Sequence, residues 1–402
     1  MEDKYLVINC GSSSLKFSLY EMPSENLIAK GYFERIGGDN SFYNINYNGK
    51  TIGADMAFKN HYEAVSVMMD ELVKNDIIDN FEEIKGAGHR VLHGGEIYND
   101  SVVIDDKVLD DIYKMTNLGP LHHPGEIEGI KALSKCLPNT KNVAVFDTAF
   151  HHTIPDFNHI YAVPYDWYLK YKVRKYGFHG TSHKYITEKL KNEFGRDNVN
   201  LIICHVGSGA SITCIKDGLS YDTTMGLTPL DGLVMGTRSG SIDPSIIKFM
   251  ADEAKMNIDE ITNALNKESG LKGICGRNDF RDMMKLIGEG DERATLAYQI
   301  FIDSIVKYIA EYYFHLEGKV DALVFTAGIL ENNVKIRDDI IAKLSGAMGV
   351  YTDLEMNDKI GYGKELKEGI ISTKDSKVAV YVIPTNEEVM IARDTYKIIK
   401  EG

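Results

Sequence analysis

Apolar and polar residues alternate through the first fifty positions, a pattern typical of half-buried β-strands. The segments that carry it are KYLVINC, LKFSLYEM, LIAKGYFERI and SFYNINYNGKTI. The pair Asn48-Gly49 is a hairpin-turn signal. The period then changes, because HYEAVSVMMDELVKN repeats its apolar positions at helical spacing. This region therefore predicts a sheet followed by a helix.

The second half of the chain repeats this order of elements. The segment VNLIICHVGSGASITCIKDG predicts a strand, a glycine turn and a second strand. Helical periodicity follows over 243–266 and 291–316, and again near 333–346 and in NEEVMIARDTYKIIKEG. The strands VDALVFTAGI and KVAVYVIP separate these helices. Strands that alternate with helices in both halves predict an α/β protein.

The two strand–turn–strand segments also resemble each other in sequence. LVINCGSSSLKFSL aligns with IICHVGSGASITCI at a spacing of about half the chain. The aligned pairs are Asn9 with His205, Gly11 with Gly207, and Ser12 with Ser208. The alignment indicates a duplicated α/β fold with two similar turns that face a common cleft. The alternative is a chance match over a short window.

Turns built from Gly and Ser expose backbone N–H and hydroxyl groups, which suit phosphate oxygens. Lys16 adds a positive charge to the first turn. The alternative is a tight hairpin with solvated serines, which the second, similar turn makes less favourable. Two better-known nucleotide-binding motifs, the P-loop and GxGxxG, are not matched. NGKT at 48–51 lacks the required earlier glycine because position 44 is Asn44, and GSGASI has Ile212 in place of a third glycine.

Composition and charge restrict the class of protein. A chain of 402 residues with 44% apolar and 26% charged residues predicts a soluble protein of two domains. A net charge of −14 argues against nucleic-acid binding. No apolar run is long enough to span a membrane, and the acidic N-terminus is unlike a signal peptide. Five scattered cysteines without a CxxC pair predict buried free thiols of a cytosolic protein.

Charged side chains in glycine-bounded loops are the candidates for chemistry. Arg90 lies in GAGHRVLHGGE and Arg238 in MGLTPLDGLVMGTRSGSIDP, and Asp147 and Glu387–Glu388 follow predicted strands. Histidines cluster in GHRVLHGG, PLHHPGE, FDTAFHH and KYGFHGTSH, without zinc spacing. Carboxylates together with phosphate oxygens are instead a magnesium environment. Taken singly, each arginine is more often a surface ion pair and each histidine a structural residue.

Six segments together resemble the acetate kinase family, within the actin-like and sugar-kinase superfamily. They are VINCGSSSLK, GHRVLHGGE, VAVFDTAFH, YGFHGTSHKY, MGLTPLDGLVMGTRSG and TNEEVMIAR, in family order over residues 5–393. The resemblance implies a duplicated actin-like ATPase (ribonuclease H-like) fold with two domains around a central cleft. We expect 1–148 plus 384–402 to form the N-terminal domain, and 149–383 to form the C-terminal domain with the nucleotide pocket.

The resemblance also implies an activity and its partners. It implies reversible phosphoryl transfer between ATP and acetate, giving acetyl phosphate and ADP by direct in-line transfer. It further implies Mg²⁺, for which Mn²⁺ can substitute, a cytoplasmic homodimer, and no nucleic-acid or membrane partner. A carboxylate nucleophile is already ionised at neutral pH, so this chemistry needs charge compensation rather than a general base.

Site residues are assigned by matching positions to the family motifs. The expected catalytic residues are Arg90, His122, Asp147, His179 and Arg238. The expected acetate-binding residues are Arg90, Leu92, Leu121, Phe178 and Pro229. The expected nucleotide-binding residues are Ser12, Ser14, Lys16, His205, Gly207, Ser208, Gly209, Asp279, Phe280, Arg281, Gly328, Ile329 and Asn332. The expected metal-binding residues are Asn9 and Glu387.

Several positions depart from the usual family pattern. Ser208 stands where Asn is usual, Arg277 lies in a changed segment before the adenosine motif, Leu330 replaces a Gly, and Ser241 replaces an Asp. Neutral drift and an altered phosphoryl donor, another nucleotide or pyrophosphate, are the alternatives. Leu92 stands where Val is usual, and one extra methylene in a small apolar pocket disfavours larger acids by about 1–3 kcal/mol. We therefore expect acetate to be preferred over propionate, with butyrate poor.

Three other functions stay open at this point. A propionate kinase would share every motif and differ only in pocket size. An actin-like ATPase would leave HRVLHGG and FHGTSH unexplained, and Asn9 stands where that class usually has Asp. A nucleotide-binding sensor would bind ATP without turnover, although all the matched charged groups are present.

Overall fold

The computed structural model describes residues 2–120 and 122–401, which fall into two units. The first unit comprises Met1–His152, Gly180–Ser182 and Asn386–Gly402, and the second comprises Thr153–His179 and His183–Thr385. Each unit is built on one mixed β-sheet.

The sheet of the first unit has eight strands in the order β5-β4-β3-β2-β1-β6-β8-β7. The strands are β1 (Asp3–Cys10), β2 (Ser14–Met22), β3 (Asn26–Glu34), β4 (Phe42–Tyr47), β5 (Lys50–Asp55), β6 (Ile84–Val91), β7 (Val102–Val103) and β8 (Lys141–Phe146). Strands β1 to β5 pair antiparallel, whereas β6 is parallel to both β1 and β8. The predicted hairpin turn is confirmed, because Asn48 and Gly49 have φ of 46° and 71°, as such turns require.

The sheet of the second unit has six strands in the order β11-β10-β9-β12-β14-β13. They are β9 (Leu201–Val206), β10 (Ala210–Lys216), β11 (Leu219–Thr223), β12 (Ala322–Thr326), β13 (Gly369–Ile370) and β14 (Ala379–Val382). The five strands β11-β10-β9-β12-β14 repeat the order and directions of β3-β2-β1-β6-β8, with three antiparallel strands followed by two parallel ones. The predicted duplication of the α/β fold is therefore confirmed.

Helices connect the strands of both sheets. They are α1 (His61–Lys74), α2 (Asp106–Lys114), α3 (His123–Cys136), α4 (Asp156–His159), α5 (Tyr165–Tyr171), α6 (Gly180–Phe194), α7 (Ser245–Glu253), α8 (Ile258–Lys267), α9 (Gly270–Cys275), α10 (Phe280–Gly288), α11 (Glu292–His315), α12 (Ala327–Asn332), α13 (Val334–Met348), α14 (Leu354–Lys359) and α15 (Glu387–Glu401). Single 3₁₀ turns cover Phe81–Glu83, Met115–Leu118 and Ala149–Thr153. None of the helices within 2–120 and 122–401 has the length and apolar character needed to cross a bilayer.

The stretch over 243–266 that was predicted to be helical contains two helices, α7 and α8. Lys255 between them has a φ of 58°, which no helix continues. Asn257 then caps α8, because its side chain accepts a hydrogen bond from the backbone N–H of Glu260 and the Glu260 side chain reciprocates. The cap explains why the second helix starts afresh. The five cysteines are free thiols, as predicted: Cys10, Cys204 and Cys214 are buried, and Cys136 and Cys275 are partly buried.

The two duplicated hairpins differ by one residue in their turns. In the first, the N–H of Gly11 donates to the carbonyl of Ser14 at 2.9 Å. In the second, the N–H of Gly207 donates to the carbonyl of Gly209, also at 2.9 Å. The paired strand positions are Asn9 with Lys16 in the first hairpin and His205 with Ser211 in the second. The second turn is therefore shorter, and Ser211 takes the position that Lys16 has in the first unit.

Helix α3 packs directly against the first turn because two of its residues are glycines. A Cβ on Gly125 would lie 2.4 Å from the carbonyl oxygen of Gly11, and a Cβ on Gly129 would lie 2.2 Å from the sulfur of Cys10. Both distances are far below van der Waals contact. The small residues of α3 thus fix how closely the helix approaches the turn.

We predict that Gly125→Ala lowers the free energy of unfolding by roughly 1–3 kcal/mol, because the added methyl group forces the helix away from the Gly11 backbone. Gly346→Ala is the matched control. It lies inside α13 with nothing within 4 Å of the added Cβ, so it should stabilise the protein by about 0.5–1 kcal/mol. Urea unfolding measures both changes, and equal stability of Gly125→Ala and the unmodified protein would contradict the close approach.

Candidate active site

Arg90 and Asp147 meet at one edge of the first sheet. Arg90 is the penultimate residue of β6 and Asp147 follows β8, and these strands are parallel neighbours. The carboxyl ends of parallel strands lie at the same edge, where such sheets place their functional groups. The backbone N–H of Asp147 donates to the carbonyl of Val91 at 2.9 Å, which extends the ladder past the strand end.

The two side chains form a bidentate ion pair. The Nε of Arg90 donates to both carboxylate oxygens of Asp147 at 3.1 Å, and its Nη2 donates to Oδ2 at 2.6 Å. The Asp147 side chain is 1% exposed and that of Arg90 is 24% exposed. Asp147, and to a lesser extent Glu387, raise the pKa of Arg90 above its ordinary value. The guanidinium is therefore permanently charged and held in one orientation, with an edge open to solvent.

Behind this pair, α3 buries two titratable side chains that sequence analysis did not select. His123 is fully buried and Glu126 is 6% exposed, and Glu126 Oε1 accepts a hydrogen bond from the backbone N–H of Leu92 at 3.1 Å. Among residues 2–120 and 122–401, Glu126 Oε2 has no hydrogen-bond partner, and it lies 3.9 Å from Nε2 of His123. The segment PLHHPGE was noted only for its histidines. Glu126 anchors Leu92, an expected wall residue of the acetate pocket.

Burial controls the protonation of both side chains. Desolvation raises the pKa of Glu126 to about 8, and nearby Asp147 adds to this, whereas Arg90 opposes it. Desolvation also lowers the pKa of His123 to about 4. His122, expected to be catalytic, immediately precedes α3. Burial raises the pKa of Asp147, and the charges of Arg90 and His122 oppose that rise. At neutral pH the buried groups behind the ion pair are thus mainly uncharged.

The first glycine turn presents its polar groups outward. Ser12 and Lys16 are exposed, and Asn9 and Ser14 are half-buried. The turn is held from behind, because the imidazole Nε2 of His61 is hydrogen-bonded to the carbonyl oxygen of Gly11 at 2.8 Å. This arrangement leaves the hydroxyl and amino groups available to a ligand.

The second unit brings four of the expected residues together around the other glycine turn. The imidazole rings of His179 and His205 stack with centroids 4.1 Å apart and an angle of 21°. A Cβ on Gly209 would lie 3.3 Å from His179 Nε2 and 3.5 Å from Arg238 Nη1. His179 itself has a φ of 57°, an uncommon conformation for a residue with a side chain. The absence of a side chain at Gly209 thus leaves space beside both donors.

Arg238 is a half-buried cation with no counter-ion among residues 2–120 and 122–401. Its Nη1 donates to the carbonyl oxygen of Pro229 at 3.1 Å, and burial lowers its pKa from the ordinary value. In the described part of the chain, no carboxylate lies within ion-pairing distance of Arg238, in contrast to Arg90. Because a desolvated charge is costly unless it is paired, such a group favours an anionic ligand.

The expected adenosine segment lies at the start of α10. The Asp279 side chain caps this helix by accepting from the backbone N–H of Arg281 at 2.8 Å and forms an ion pair with the Arg281 guanidinium at 2.7 Å. Phe280 is 7% exposed, and its ring packs against Phe301 with centroids 5.1 Å apart. Phe280 is therefore part of the core, whereas the side chains of Asp279 and Arg281 lie at the surface. Arg277 is exposed.

The second part of that segment is α12. Gly328 and Asn332 are exposed and Ile329 is half-buried, whereas Leu330 is completely buried. Asn332 Nδ2 donates to the carbonyl oxygen of Gly328 at 2.8 Å. Leu330, one of the departures from the family pattern, therefore places its side chain in the core rather than on the exposed side of this helix.

The remaining expected residues fall into three groups. Leu92 and Phe178 are buried, with exposures of 5% and 1%. Gly207 is half-buried and Ser208 exposed in the second glycine turn. Leu121 lies outside the described residues.

Oxygen donors are the available metal ligands in the first unit. Within the described residues, no group of three or more His, Cys, Asp or Glu side chains is arranged to hold a metal ion. Mg²⁺ in phosphoryl-transfer enzymes commonly takes one or two protein oxygens and completes its shell with water and phosphate. The amide of Asn9 and the carboxylate of Glu387 fit that donor set, and Glu387 lies close enough to Arg90 to affect its pKa.

Comparisons with known proteins agree over the whole chain. Residues 4–393 match the model of the Acetokinase family. The chain is 50% identical to the acetate kinase of Geobacillus sp. (strain WCH70), over 99% of this chain and 100% of that protein.

Two solved structures resemble this one closely. A propionate kinase from Francisella tularensis subsp. tularensis SCHU S4 has a TM-score of 0.92 at 42% identity, covering 98% of this chain and 100% of its own. The Porphyromonas gingivalis acetate kinase also has a TM-score of 0.92, at 39% identity, covering 99% and 100%. Together with the repeated strand order, these similarities confirm the predicted duplicated actin-like ATPase fold.

We predict that Glu126→Gln changes how stability depends on pH. The raised pKa means that the folded protein keeps the Glu126 proton between about pH 4.5 and 8, whereas the unfolded chain loses it. Rising pH therefore favours unfolding of the unmodified protein by up to about 1.4 kcal/mol per pH unit in that window. Gln keeps the oxygen that binds Leu92 but cannot ionise.

The stability advantage of Glu126→Gln should accordingly grow from pH 5 to pH 8 and then level off. Denaturant unfolding across this range measures it. Glu128→Gln, at an exposed position of the same helix, is the control and should give a difference that does not change with pH. A constant difference for Glu126→Gln would show that Glu126 is ionised throughout the range.

Proposed function

The chain belongs to the acetokinase family, and we propose that it transfers a phosphoryl group reversibly between ATP and acetate, giving acetyl phosphate and ADP. It is thus an enzyme, a phosphotransferase whose acceptor is a carboxyl group. The observation that carries the proposal is the cluster in the second unit. There the uncompensated guanidinium of Arg238 and the imidazole of His179 border the open position at Gly209.

The reaction needs charge compensation more than acid–base catalysis. The acetate carboxylate attacks already ionised, while negative charge spreads over the transferring phosphoryl group. Arg238 binds these phosphoryl oxygens, and His179 donates a hydrogen bond to them from Nε2. Arg90 binds the carboxylate with the edge that Asp147 leaves open, and His122 adds a further donor. No covalent enzyme intermediate is needed, so the transfer is direct and in line.

The two glycine turns serve the phosphates. Serine hydroxyls and backbone N–H groups of the first turn, with Lys16, hold phosphate oxygens, as do Gly207, Ser208 and Gly209 of the second. We assign the adenosine to the segments of α10 and α12 that contain Asp279, Phe280, Arg281, Gly328, Ile329 and Asn332. His205 contributes through its stacking on His179.

A divalent cation completes the site. Asn9 and Glu387 would hold Mg²⁺, or Mn²⁺ in its place, with water and nucleotide phosphate oxygens as the remaining ligands. When bound, the ion neutralises part of the phosphate charge. The protein's own contribution is to keep these two oxygen donors beside Arg90 without adding a complete metal cage.

Acetate is preferred to larger acids in this proposal. We assign the acetate carboxylate to Arg90, and we assign its methyl group to Leu92, Leu121, Phe178 and Pro229 by their match to the family motifs. The backbone N–H of Leu92 is hydrogen-bonded to the buried Glu126, so Leu92 cannot easily move to make room for a larger acid. A propionate kinase is the second candidate, because a solved propionate kinase has the same fold at 42% identity.

We also propose that the enzyme is a cytoplasmic homodimer. Five free thiols are typical of proteins in a reducing compartment. The second unit exposes several large apolar side chains in and around α5, which would suit a subunit interface. They are Phe157, Tyr165, Trp167, Leu169 and Tyr171.

The direct test of the function is a hydroxamate assay of acyl phosphate formation with Mg²⁺. It crosses acetate, propionate and butyrate with ATP, GTP and pyrophosphate. We expect acetate with ATP to be the best pair, propionate to be weaker, and butyrate to lose about 10-fold or more in kcat/KM. A kcat/KM for butyrate equal to that for acetate would contradict the proposed pocket. Activity only with GTP or pyrophosphate would indicate that Ser208 and Arg277 determine which phosphoryl donor is used.

The two arginines should respond differently to removal. Arg90→Ala and Arg238→Ala should each lower kcat roughly 10³-fold or more, because each removes transition-state charge compensation. Arg90→Ala should also lower the free energy of unfolding by about 3 kcal/mol, since it leaves the Asp147 carboxylate buried without its partner. Arg238→Ala removes an unpaired charge and should not destabilise the fold.

Steady-state kinetics and urea unfolding of both variants test these effects. Arg196→Ala is the control, because Arg196 of the second unit is bound to Asp321 at 2.6 Å and has no assigned role. A near-normal kcat of Arg238→Ala would show that Arg238 does not take part in catalysis.

A further inference from the structure

The hydroxyl group of Ser211 lies between two imidazole rings. Its Oγ is 2.9 Å from Nδ1 of His179 and 2.8 Å from Nε2 of His183. Ser211 is completely buried on β10, where it pairs with His205 of β9. The strand pair that stacks His205 on His179 therefore also supplies a hydroxyl to Nδ1 at the edge of the His179 ring.

The hydrogen atoms on Ser211, His179 and His183 restrict which of these groups donates and which accepts in the two hydrogen bonds. A serine hydroxyl donates one hydrogen bond and accepts others, and each neutral imidazole carries one N–H. If both rings donated to Ser211, its own hydrogen would have no acceptor, since Ser211 Oγ has no third hydrogen-bond partner within the described residues. A buried, unsatisfied donor is costly. The hydroxyl therefore donates to one ring and accepts from the other.

The two remaining arrangements differ at the nitrogen that faces Gly209. In one, His183 Nε2–H donates to Ser211, whose hydroxyl donates to His179 Nδ1. This places the His179 proton on Nε2. In the other, His179 donates from Nδ1 and its Nε2 is a bare lone pair. Only the first arrangement offers an N–H to a phosphoryl oxygen. An anion bound near Arg238 would favour that N–H and would be repelled by the lone pair.

We propose that Ser211 is a positioning residue, which together with His183 fixes His179 as the tautomer that carries its proton on Nε2. This inference rests on the proposed function of His179. The Ser211 hydroxyl does not touch substrate, but it decides whether the imidazole next to Arg238 donates or accepts. The stacked ring of His205 and the constrained backbone of His179 hold the same imidazole in place.

The inference predicts a spectroscopic state in the unmodified enzyme. With ¹⁵N-histidine labelling, two-bond ¹H–¹⁵N correlation spectra distinguish the two neutral tautomers, and His179→Gln assigns the signal. We expect His179 to be the Nε2–H tautomer at pH 7.5. A proton on Nδ1 would overturn the proposal without any need for a serine variant to fold. This measurement also stands apart from the proposed function, which fails separately if no acyl phosphate forms.

Ser211→Ala tests the consequence for catalysis. Loss of the hydroxyl should turn His179 into a mixture of tautomers and lower kcat about 10–100-fold, with KM for acetate and ATP within about 2-fold. Ser211→Thr, which keeps the hydroxyl, should restore the Nε2–H signal. Unchanged kcat together with an unchanged His179 tautomer in Ser211→Ala would refute the role of Ser211.

Thr213→Val is the matched control. Thr213 lies two residues along the same strand, is completely buried, and shares a hydrogen bond with Thr223 at 2.8 Å. Removing its hydroxyl costs a buried hydrogen bond of similar size but should leave both the tautomer of His179 and kcat unchanged. An equal loss of kcat in Thr213→Val would show that general loosening of the strand, rather than Ser211, controls His179.

Discussion

The ion pair between Arg90 and Asp147 is the interaction on which the first unit's part of the site depends. Burial raises the pKa of this carboxyl group, which is 1% exposed, and the guanidinium that binds both of its oxygens opposes that rise. The pair in turn fixes the guanidinium at the end of β6 and leaves one edge open. The carbonyl of Asp147 also accepts the N–H of Gly180 at 2.8 Å, at the first residue of α6. Asp147 therefore orients the Arg90 side chain through its carboxylate and holds the start of α6 through its backbone carbonyl.

The two units use one backbone plan for different chemistry. Each has the same five-strand core and a glycine turn between its first two strands. The first hairpin pairs an amide with an amine, Asn9 with Lys16, whereas the second pairs His205 with Ser211. The two hairpins thus have equivalent positions that carry different side chains. The first unit has an exposed ammonium group there, and the second has histidine rings and a hydroxyl group that form hydrogen bonds.

The charges in the two units are also arranged differently. Arg90 is neutralised by a carboxylate, so it can orient a substrate anion without strongly attracting every anion. Arg238 has no carboxylate partner in the part of the chain that the structure describes, and burial makes its charge costly until an anion binds. This difference is suited to phosphoryl transfer, in which the carboxylate keeps its position while the charge on the phosphoryl group changes. The mainly uncharged state of Glu126 and His123 behind Arg90 preserves that balance.

The sequence by itself determined the repeat, the strand–turn–strand segments, the Asn48-Gly49 hairpin and the residue types that phosphate chemistry needs. These are local properties, because side-chain period, glycine content and turn preference act over a few neighbouring residues. It also selected Arg90, Asp147 and Arg238 as candidates from their loops and strand ends, and the resemblance to family motifs gave them and His179 the catalytic roles that stay predictions.

Only the tertiary structure decided which of these charges are paired. The Arg90–Asp147 bond, the bond of the buried Glu126 to Leu92 and the place of Ser211 between two histidines all join residues that are distant in sequence. Their energies depend on desolvation and on separations of a few tenths of an ångström, which packing sets and which no local pattern records.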